Sequence, residues 1–256
     1  MAQRTERLQL LGANEVHPLV PTKELLSQSP REFVKSMVER FNVRHFVEGN
    51  DFHFGKGRAG SIDTLRALEG EFGHHTIVVP PVEAALADMS IVRASSSLIR
   101  WLLGHGRVRD AAMLLGRPYE LRCEVVKGDQ RGRAIGFPTA NLAHGDMLLP
   151  ADGIYCGRGT IERNSALSFP AAISIGTKPT FGNHPRTCEA HLVGFDGALD
   201  DYGWKIRLEF HDWLRDQLVY PEVEALIEQL HRDVDQVRRH VASLRPLSPI
   251  PCDAPA

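Results

Sequence analysis

The sequence predicts an α/β domain followed by a small antiparallel β-barrel and a C-terminal helix. Strand patterns alternate with helix patterns up to about residue 116, which is typical of a parallel sheet covered by helices. From Arg117 onward, short alternating apolar and polar runs separated by Gly, Pro and Asp indicate an antiparallel barrel or sandwich. An amphipathic stretch over 221–244 predicts a long helix. We therefore predict domains at 1–116 and 117–245, and a disordered tail at 246–256, which holds four prolines.

The first predicted domain begins its helices with recognisable capping signals. Ser29 suits an N-cap, Pro30 the first helical position and Glu32 the first turn, and apolar residues follow at helical spacing as far as Phe41. The same criteria predict helices over 2–12, 61–72, 95–102 and 108–115, with strands over 15–20, 43–48 and 76–79.

The second predicted domain consists mainly of strands. The alternating runs cover 121–126, 153–160, 171–175 and 188–195, and they continue through Ile206, Leu208 and Phe210. Successive side chains of a strand point to opposite faces, so Glu189 is expected to face away from Cys188 and Ala190. Such a carboxylate is either a solvent-facing residue or a base held near a site.

Composition and charge exclude several classes of protein. The 256 residues carry a formal net charge of −2, which argues against a broad nucleic-acid-binding surface. No apolar run approaches the roughly 20 residues of a membrane span, and the first seven residues lack the apolar stretch of a secretory signal. The four cysteines are far apart, which is typical of reduced thiols. We expect a cytoplasmic protein.

Residues 128–141 (GDQRGRAIGFPTAN) form the most informative loop. Gly128, Gly132 and Gly136, four residues apart, suit a loop that lets another group approach its backbone, and they do not suit a helix. Arg133 and Arg131 add fixed positive charge, which favours phosphate. The hydroxyl of Thr139 and the carboxamide of Asn141 follow Pro138, and together these groups suit a phosphate-bound magnesium ion. The alternative is an ordinary polar loop entering a strand.

Two other patterns permit alternative sites. Residues 55–60 (GKGRAG) match the G-x-G-x-x-G fingerprint of dinucleotide-binding proteins and lie between a predicted strand and a predicted helix. His184, Cys188 and His191 permit a metal site, although they lack the paired spacing of zinc motifs.

Several motifs in register identify a family. In the second half they are 132–142 (GRAIGFPTANL), 153–155 (GIY), 174–181 (SIGTKPTF), 189–192 (EAHL), 195–197 (FDG), 202–203 (YG) and 214–215 (LR). Together they resemble the riboflavin kinase module of the bacterial bifunctional riboflavin kinase/FAD synthetase family. Upstream, 48–60 (EGNDFHFGKGRAG), 79–82 (VPPV), 95–100 (SSSLIR) and 115–119 (LGRPY) resemble the later part of that family's adenylyltransferase domain, which displaces the dinucleotide interpretation of residues 55–60.

The resemblance implies an ATP:riboflavin phosphotransferase with Mg²⁺ as cofactor and with riboflavin, FMN and ATP as ligands. It places the ATP phosphates along Gly132, Arg133, Gly136, Phe137 and Pro138, and magnesium at Thr139 and Asn141. It assigns Glu189 as the general base, and it places Thr180, Phe181 and Arg215 on the flavin side.

The adenylyltransferase half departs from the family pattern. The family's N-terminal H-x-G-H run does not occur in residues 1–256, so the expectation is an incomplete Rossmann-like nucleotidyltransferase domain that makes no FAD. Two alternatives stay open on the sequence. One is a complete FAD synthetase whose start was assigned too far downstream, and the other is a flavin-binding protein without catalysis.

Overall fold

A computed structural model describes residues 2–128, 130–162, 167–177, 186–197 and 201–244. By its internal contacts the chain forms two compact units, Met1–Pro81 and Val82–Ala256. The domain boundary at 116/117 lies within the second unit, where the helix before it packs against barrel strands. The assignment of domains from the sequence stays a prediction, and the tail at 246–256 lies outside the described residues.

The first unit is an α/β arrangement around a short parallel sheet. Its elements are α1 (Ala2–Leu10), α2 (Lys23–Ser27), α3 (Pro30–Phe41), β1 (His45–Gly49), a 3₁₀ turn (Lys56–Arg58), α4 (Ile62–Ala67), α5 (Glu69–Phe72) and β2 (His75–Val79). Strands β1 and β2 pair in parallel, with His45 opposite His75. Helix α3 begins as predicted, because Ser29 and Glu32 form a reciprocal capping box. Val34 and Leu65 lie at the centre of the core.

Two predicted elements of this unit are wrong in detail. Residues 15–20 form neither a strand nor a helix. Pro18 has no N–H to donate to a ladder, and Leu19 and Val20 are exposed, so the apolar run has no core to cover. The predicted helix over 61–72 is two helices, because α4 ends and α5 begins at Leu68.

The second unit contains a closed barrel. Its elements are β3 (Glu83–Ala85), β4 (Ile91–Arg93), α6 (Ser96–Gly104), α7 (Val108–Leu115), β5 (Tyr119–Val126), α8 (Arg131–Ala134), β6 (Ala140–Ala143), β7 (Gly153–Ile161), β8 (Ser168–Gly176), β9 (Thr187–Leu192), β10 (Lys205–Arg215) and α9 (Val223–Ser243). The barrel order is β10-β5-β6-β9-β8-β7, and all of its pairs are antiparallel. This confirms the predicted fold class, although β3, β4, α8 and β6 were not predicted as separate elements.

The barrel strands alternate between an apolar interior and an outer surface that is covered in part by α9. Leu121, Ile173 and Phe210 are fully buried in the interior, where side chains of α6 and α7 complete the same core. Helix α9 packs outside β7 and β8, with Val237 against Cys156. The outer face beside α9 also carries the candidate site. In the described part of the chain, no helix combines the length and apolar character that a membrane crossing requires.

Candidate active site

Five neighbouring strands place one row of side chains on the outer face of the barrel. Asn141 on β6 pairs with Glu189 on β9, Glu189 with Ser174 on β8, Ser174 with Ile154 on β7, and Ile154 with Arg215 on β10. Directly opposite residues on adjacent strands share a face. All five line one cavity of about 170 Å³. Five residues that the sequence separates widely are thus brought into one site.

Glu189 faces outward as predicted. Its neighbours Cys188 and Ala190 are each 1% exposed and belong to the barrel core, whereas Glu189 is half-buried and lines the cavity. The alternative metal site of His184, Cys188 and His191 is not formed by the described residues. Cys188 points into the barrel and His191 lies on the opposite face, while His184 is outside the described residues.

The wall opposite the strands is mainly apolar. Helix α9 contributes Leu226, Leu230 and Val234, and the loop after α8 contributes Phe137. The polar groups lie along the strand row, where the side-chain amide of Gln217 donates to the Ser174 hydroxyl at 2.9 Å. A cavity with an apolar wall and few polar groups suits a ligand with an apolar body and a hydroxyl-bearing end.

Arg215 lies in the cavity, and its guanidinium is held by α9. Its Nη2 donates to Asp233 Oδ2 at 2.6 Å and its Nε to Asp233 Oδ1 at 3.0 Å, while the amide of Gln229 donates to the same carboxylate. Burial opposes the charge of Arg215, yet the hydrogen bond and the negative charge of Asp233 raise its pKa above the usual value. The pair fastens α9 to β10 and fixes one wall of the cavity.

Asp233 was not predicted from the sequence, although a signal exists. It follows Leu230 and precedes Val234 on the apolar side of α9, and it is only 2% exposed. A carboxylate on an apolar helix face requires a buried partner.

The glycines of the 128–141 loop permit close backbone contacts. Phe137 N–H donates to the Gly132 carbonyl at 2.8 Å, and a Cβ on Gly132 would lie 2.3 Å from the Phe137 oxygen. Gly136 has φ of +84°, a conformation that side chains disfavour. The prediction that this segment avoids helix is wrong at Gly132, which lies in the single turn α8. There, the need for close approach outweighs helix propensity.

A second cavity, of about 70 Å³, adjoins the first. Arg133 and Pro138 line it on one side, and Phe195, Tyr202 and Trp204 supply aromatic walls. The lining residues common to both cavities are Gln130, Thr139 and Asn141. Thr139 and Asn141 therefore lie where the two cavities meet.

The predicted metal-binding residues fit a magnesium–phosphate complex. The Thr139 hydroxyl and the Asn141 carboxamide supply oxygen atoms, which Mg²⁺ prefers. Among the residues that the structure describes, no three His, Cys, Asp or Glu side chains are grouped as metal ligands. Mg²⁺ commonly takes few protein ligands and completes its shell with substrate phosphates and water, and this donor set suits that mode.

Comparison with known proteins identifies the family. The family model described as riboflavin kinase matches residues 115–241, and the model described as FAD synthetase matches residues 1–93. The bifunctional riboflavin kinase/FMN adenylyltransferase of Bacillus subtilis is 31% identical over 248 residues, which cover 96% of this chain and 75% of that protein. This chain belongs to the bifunctional riboflavin kinase/FMN adenylyltransferase family.

A second relative and a solved structure are similar to the same extent. The Pseudomonas fluorescens protein of that name is 32% identical over 230 residues, covering 89% of this chain and 70% of the relative. A crystal structure described as a macrolide-efflux protein from Streptococcus pneumoniae superposes with a TM-score of 0.79 at 31% identity, covering 93% of this chain and 74% of that one. The resemblance seen in the sequence is confirmed.

The residues predicted for the family's chemistry fall into two groups. Gly132, Phe137, Thr139, Asn141, Glu189 and Arg215 line the larger cavity, and Arg133, Pro138, Thr139 and Asn141 line the smaller one. Gly136 precedes Phe137 in the same loop. Thr180 and Phe181 lie outside the described residues, and their assignment to the flavin side stays a prediction.

Proposed function

We propose that this chain transfers the γ-phosphate of ATP to the 5′-hydroxyl of riboflavin, giving FMN and ADP. The observation that carries the proposal is the junction of two cavities at Thr139 and Asn141, with Glu189 beside Asn141 in the strand register. A phosphotransferase must hold two substrates end to end, with their reacting atoms at one shared point. Membership of the family supports this choice of substrates.

Riboflavin is assigned to the larger cavity. Its ring system matches the apolar wall of Leu226, Leu230 and Val234, and its hydroxyl-bearing chain matches the polar strand row. ATP is assigned to the smaller cavity, whose aromatic walls suit stacking against a base and whose Arg133 suits phosphate.

Phosphoryl transfer requires the protein chiefly to position the two substrates and to neutralise the charge of the phosphates. Glu189 accepts the proton of the riboflavin 5′-hydroxyl as its oxygen attacks the γ-phosphorus, and ADP leaves with the electrons of the broken P–O bond. Thr139 and Asn141 would hold Mg²⁺, which neutralises phosphate charge when bound. Arg131 lines the larger cavity and Arg133 the smaller one, and we assign both cations to the phosphate charge that develops there.

A cytoplasmic location belongs to the same proposal. The substrate ATP and three buried cysteines without disulfides, Cys123, Cys156 and Cys188, both support it.

The test replaces the proposed base. Incubation with riboflavin, ATP and Mg²⁺, followed by separation of FMN and FAD, should yield FMN and ADP in equal amounts. Glu189→Gln should lower the rate by about 10²-fold or more while riboflavin still binds. Glu124→Gln is the matched control, because Glu124 is an exposed strand glutamate outside both cavities.

A Glu189→Gln enzyme that turns over at the parent rate would contradict the assignment of the base. A parent protein that binds riboflavin but forms no FMN would favour the non-catalytic alternative. FAD in the same chromatogram would contradict the expectation that this chain carries out no adenylyl transfer.

A further inference from the structure

We infer that His191 is a positioning residue for phosphoryl transfer, holding the Pro138–Thr139 segment in register with the strand that carries Glu189. The inference rests on the proposed function for its kinetic consequence, and on geometry alone for its structural one.

His191 makes a defined hydrogen bond across the site. It lies two residues after Glu189 on β9, hence on the same outer face, and its Nδ1 is 2.8 Å from the carbonyl oxygen of Pro138. A carbonyl oxygen only accepts, so Nδ1 carries a proton and donates it. The base and the donor to the adjoining loop therefore belong to one rigid strand.

A side chain is needed at this point because the strand ladder stops. The β6–β9 pairing comprises Ala140 opposite Ala190 and Asn141 opposite Glu189. Pro138 has no N–H and cannot donate to a continued ladder. Instead, the His191 side chain donates to the Pro138 carbonyl, which lies beyond the last pair of the β6–β9 ladder. Thr139, between that carbonyl and the first ladder pair, is thereby tied to β9 on both sides.

Ring contacts fix the same loop. The Phe137 ring meets His191 at 5.6 Å and His231 of α9 at 4.9 Å between centroids, both edge-on, and Phe137 is 7% exposed. The residue before Pro138 is thus packed between β9 and α9. Without the His191 donor, the Thr139 hydroxyl can move relative to Glu189, and a displacement of about 1 Å can lower a rate by about 10²-fold.

The test compares two replacements of His191 with a control. Asparagine places its amide nitrogen the same number of bonds from Cβ as Nδ1, so His191→Asn retains the donor, while His191→Leu removes it. The control is His105→Leu, which removes a similar bond outside both cavities, from His105 Nδ1 to the Trp101 carbonyl at 2.7 Å. Steady-state rates with MgATP and with riboflavin varied separately give kcat and both KM values.

His191 itself lines the larger cavity, so its replacement can alter the KM for riboflavin as well. For His191→Leu we expect kcat at saturating concentrations of both substrates to fall by about 10- to 100-fold. His191→Asn should recover to within about 5-fold of the parent, and His105→Leu should match the parent. If His191→Asn is as impaired as His191→Leu, His191 acts through packing and the inference is wrong.

A measurement without turnover separates this inference from the proposed function. In ¹⁵N spectra of the parent, His191 should show a protonated Nδ1, and the Thr139 amide signal should shift in His191→Leu but little in His191→Asn. If the parent makes no FMN, the proposed function fails while these spectra still decide whether His191 positions the loop. An unshifted Thr139 signal in His191→Leu would overturn the inference.

Discussion

Replacing Arg215 by Met should destabilise the barrel unit more than neutralising its partner does. The Asp233 side chain is 3% exposed and the Arg215 side chain 17%. Arg215→Met leaves a buried carboxylate that keeps the hydrogen bond from the Gln229 amide but loses those from the guanidinium. Removing one partner of a buried pair costs about 3–5 kcal/mol of unfolding free energy.

The opposite replacement, Asp233→Asn, leaves a guanidinium that reaches solvent and still donates to the Asp216 carbonyl at 2.8 Å. The loss of one charged hydrogen-bond partner should cost less, about 1–3 kcal/mol. The double variant Arg215→Met/Asp233→Asn removes both charges, so it should be more stable than Arg215→Met alone.

Urea unfolding followed by tryptophan fluorescence measures these differences in unfolding free energy, and it reports on the second structural unit, which contains the barrel. Trp101, Trp204 and Trp213 are the three tryptophans of the chain, and all lie after residue 81. The reasoning is refuted if Arg215→Met is no less stable than Asp233→Asn, or if the double variant is the least stable of the three. Either result would mean that Arg215→Met does not leave the Asp233 carboxylate as an uncompensated charge in an apolar site.

Three further predictions concern the loop and the thiols. Thr139→Val should raise the KM for MgATP by about 10-fold or more at limiting Mg²⁺ without unfolding the protein, and identical saturation curves would refute this. Gly132→Ala should displace the Phe137 carbonyl, because the added Cβ would lie 2.3 Å from that oxygen, and should weaken ATP use; parent-like kinetics would contradict it. Burial raises the pKa of Cys123 to about 11 and that of Cys156 to about 12, so below these values both stay as thiols. At pH 8 neither should react with a disulfide reagent in the folded protein, as mass spectrometry of the labelled positions can verify.

The barrel could be predicted from the sequence because its pattern is local. Alternation places Cys188 and Ala190 inside and Glu189 outside, and any register that buries the core preserves that arrangement. The same argument fails over 15–20, where an apolar run alone does not show whether a partner strand exists.

Local sequence patterns could not predict which residues form the site, because the site depends on pairing between segments that are distant in the sequence. Asn141 and Glu189 are adjacent only because β6 pairs with β9, and the sequence connected them only through family motifs. The Arg215–Asp233 pair and the His191–Pro138 bond depend on where α9 and the end of β6 are packed. In each contact the two partners lie at least 18 positions apart in the sequence.

The closing strand of the barrel also constrains how the chain folds during synthesis. Strand β10 pairs with both β5 and β7, so until Lys205–Arg215 leaves the ribosome the nascent sheet has two open edges. Exposed edges favour association between chains, and pairing over long sequence separations is slow. Because Arg215 and α9 follow at the end, the larger cavity is completed last. Ribosome-bound chains that stop before residue 205 should therefore be held by chaperones and bind no flavin.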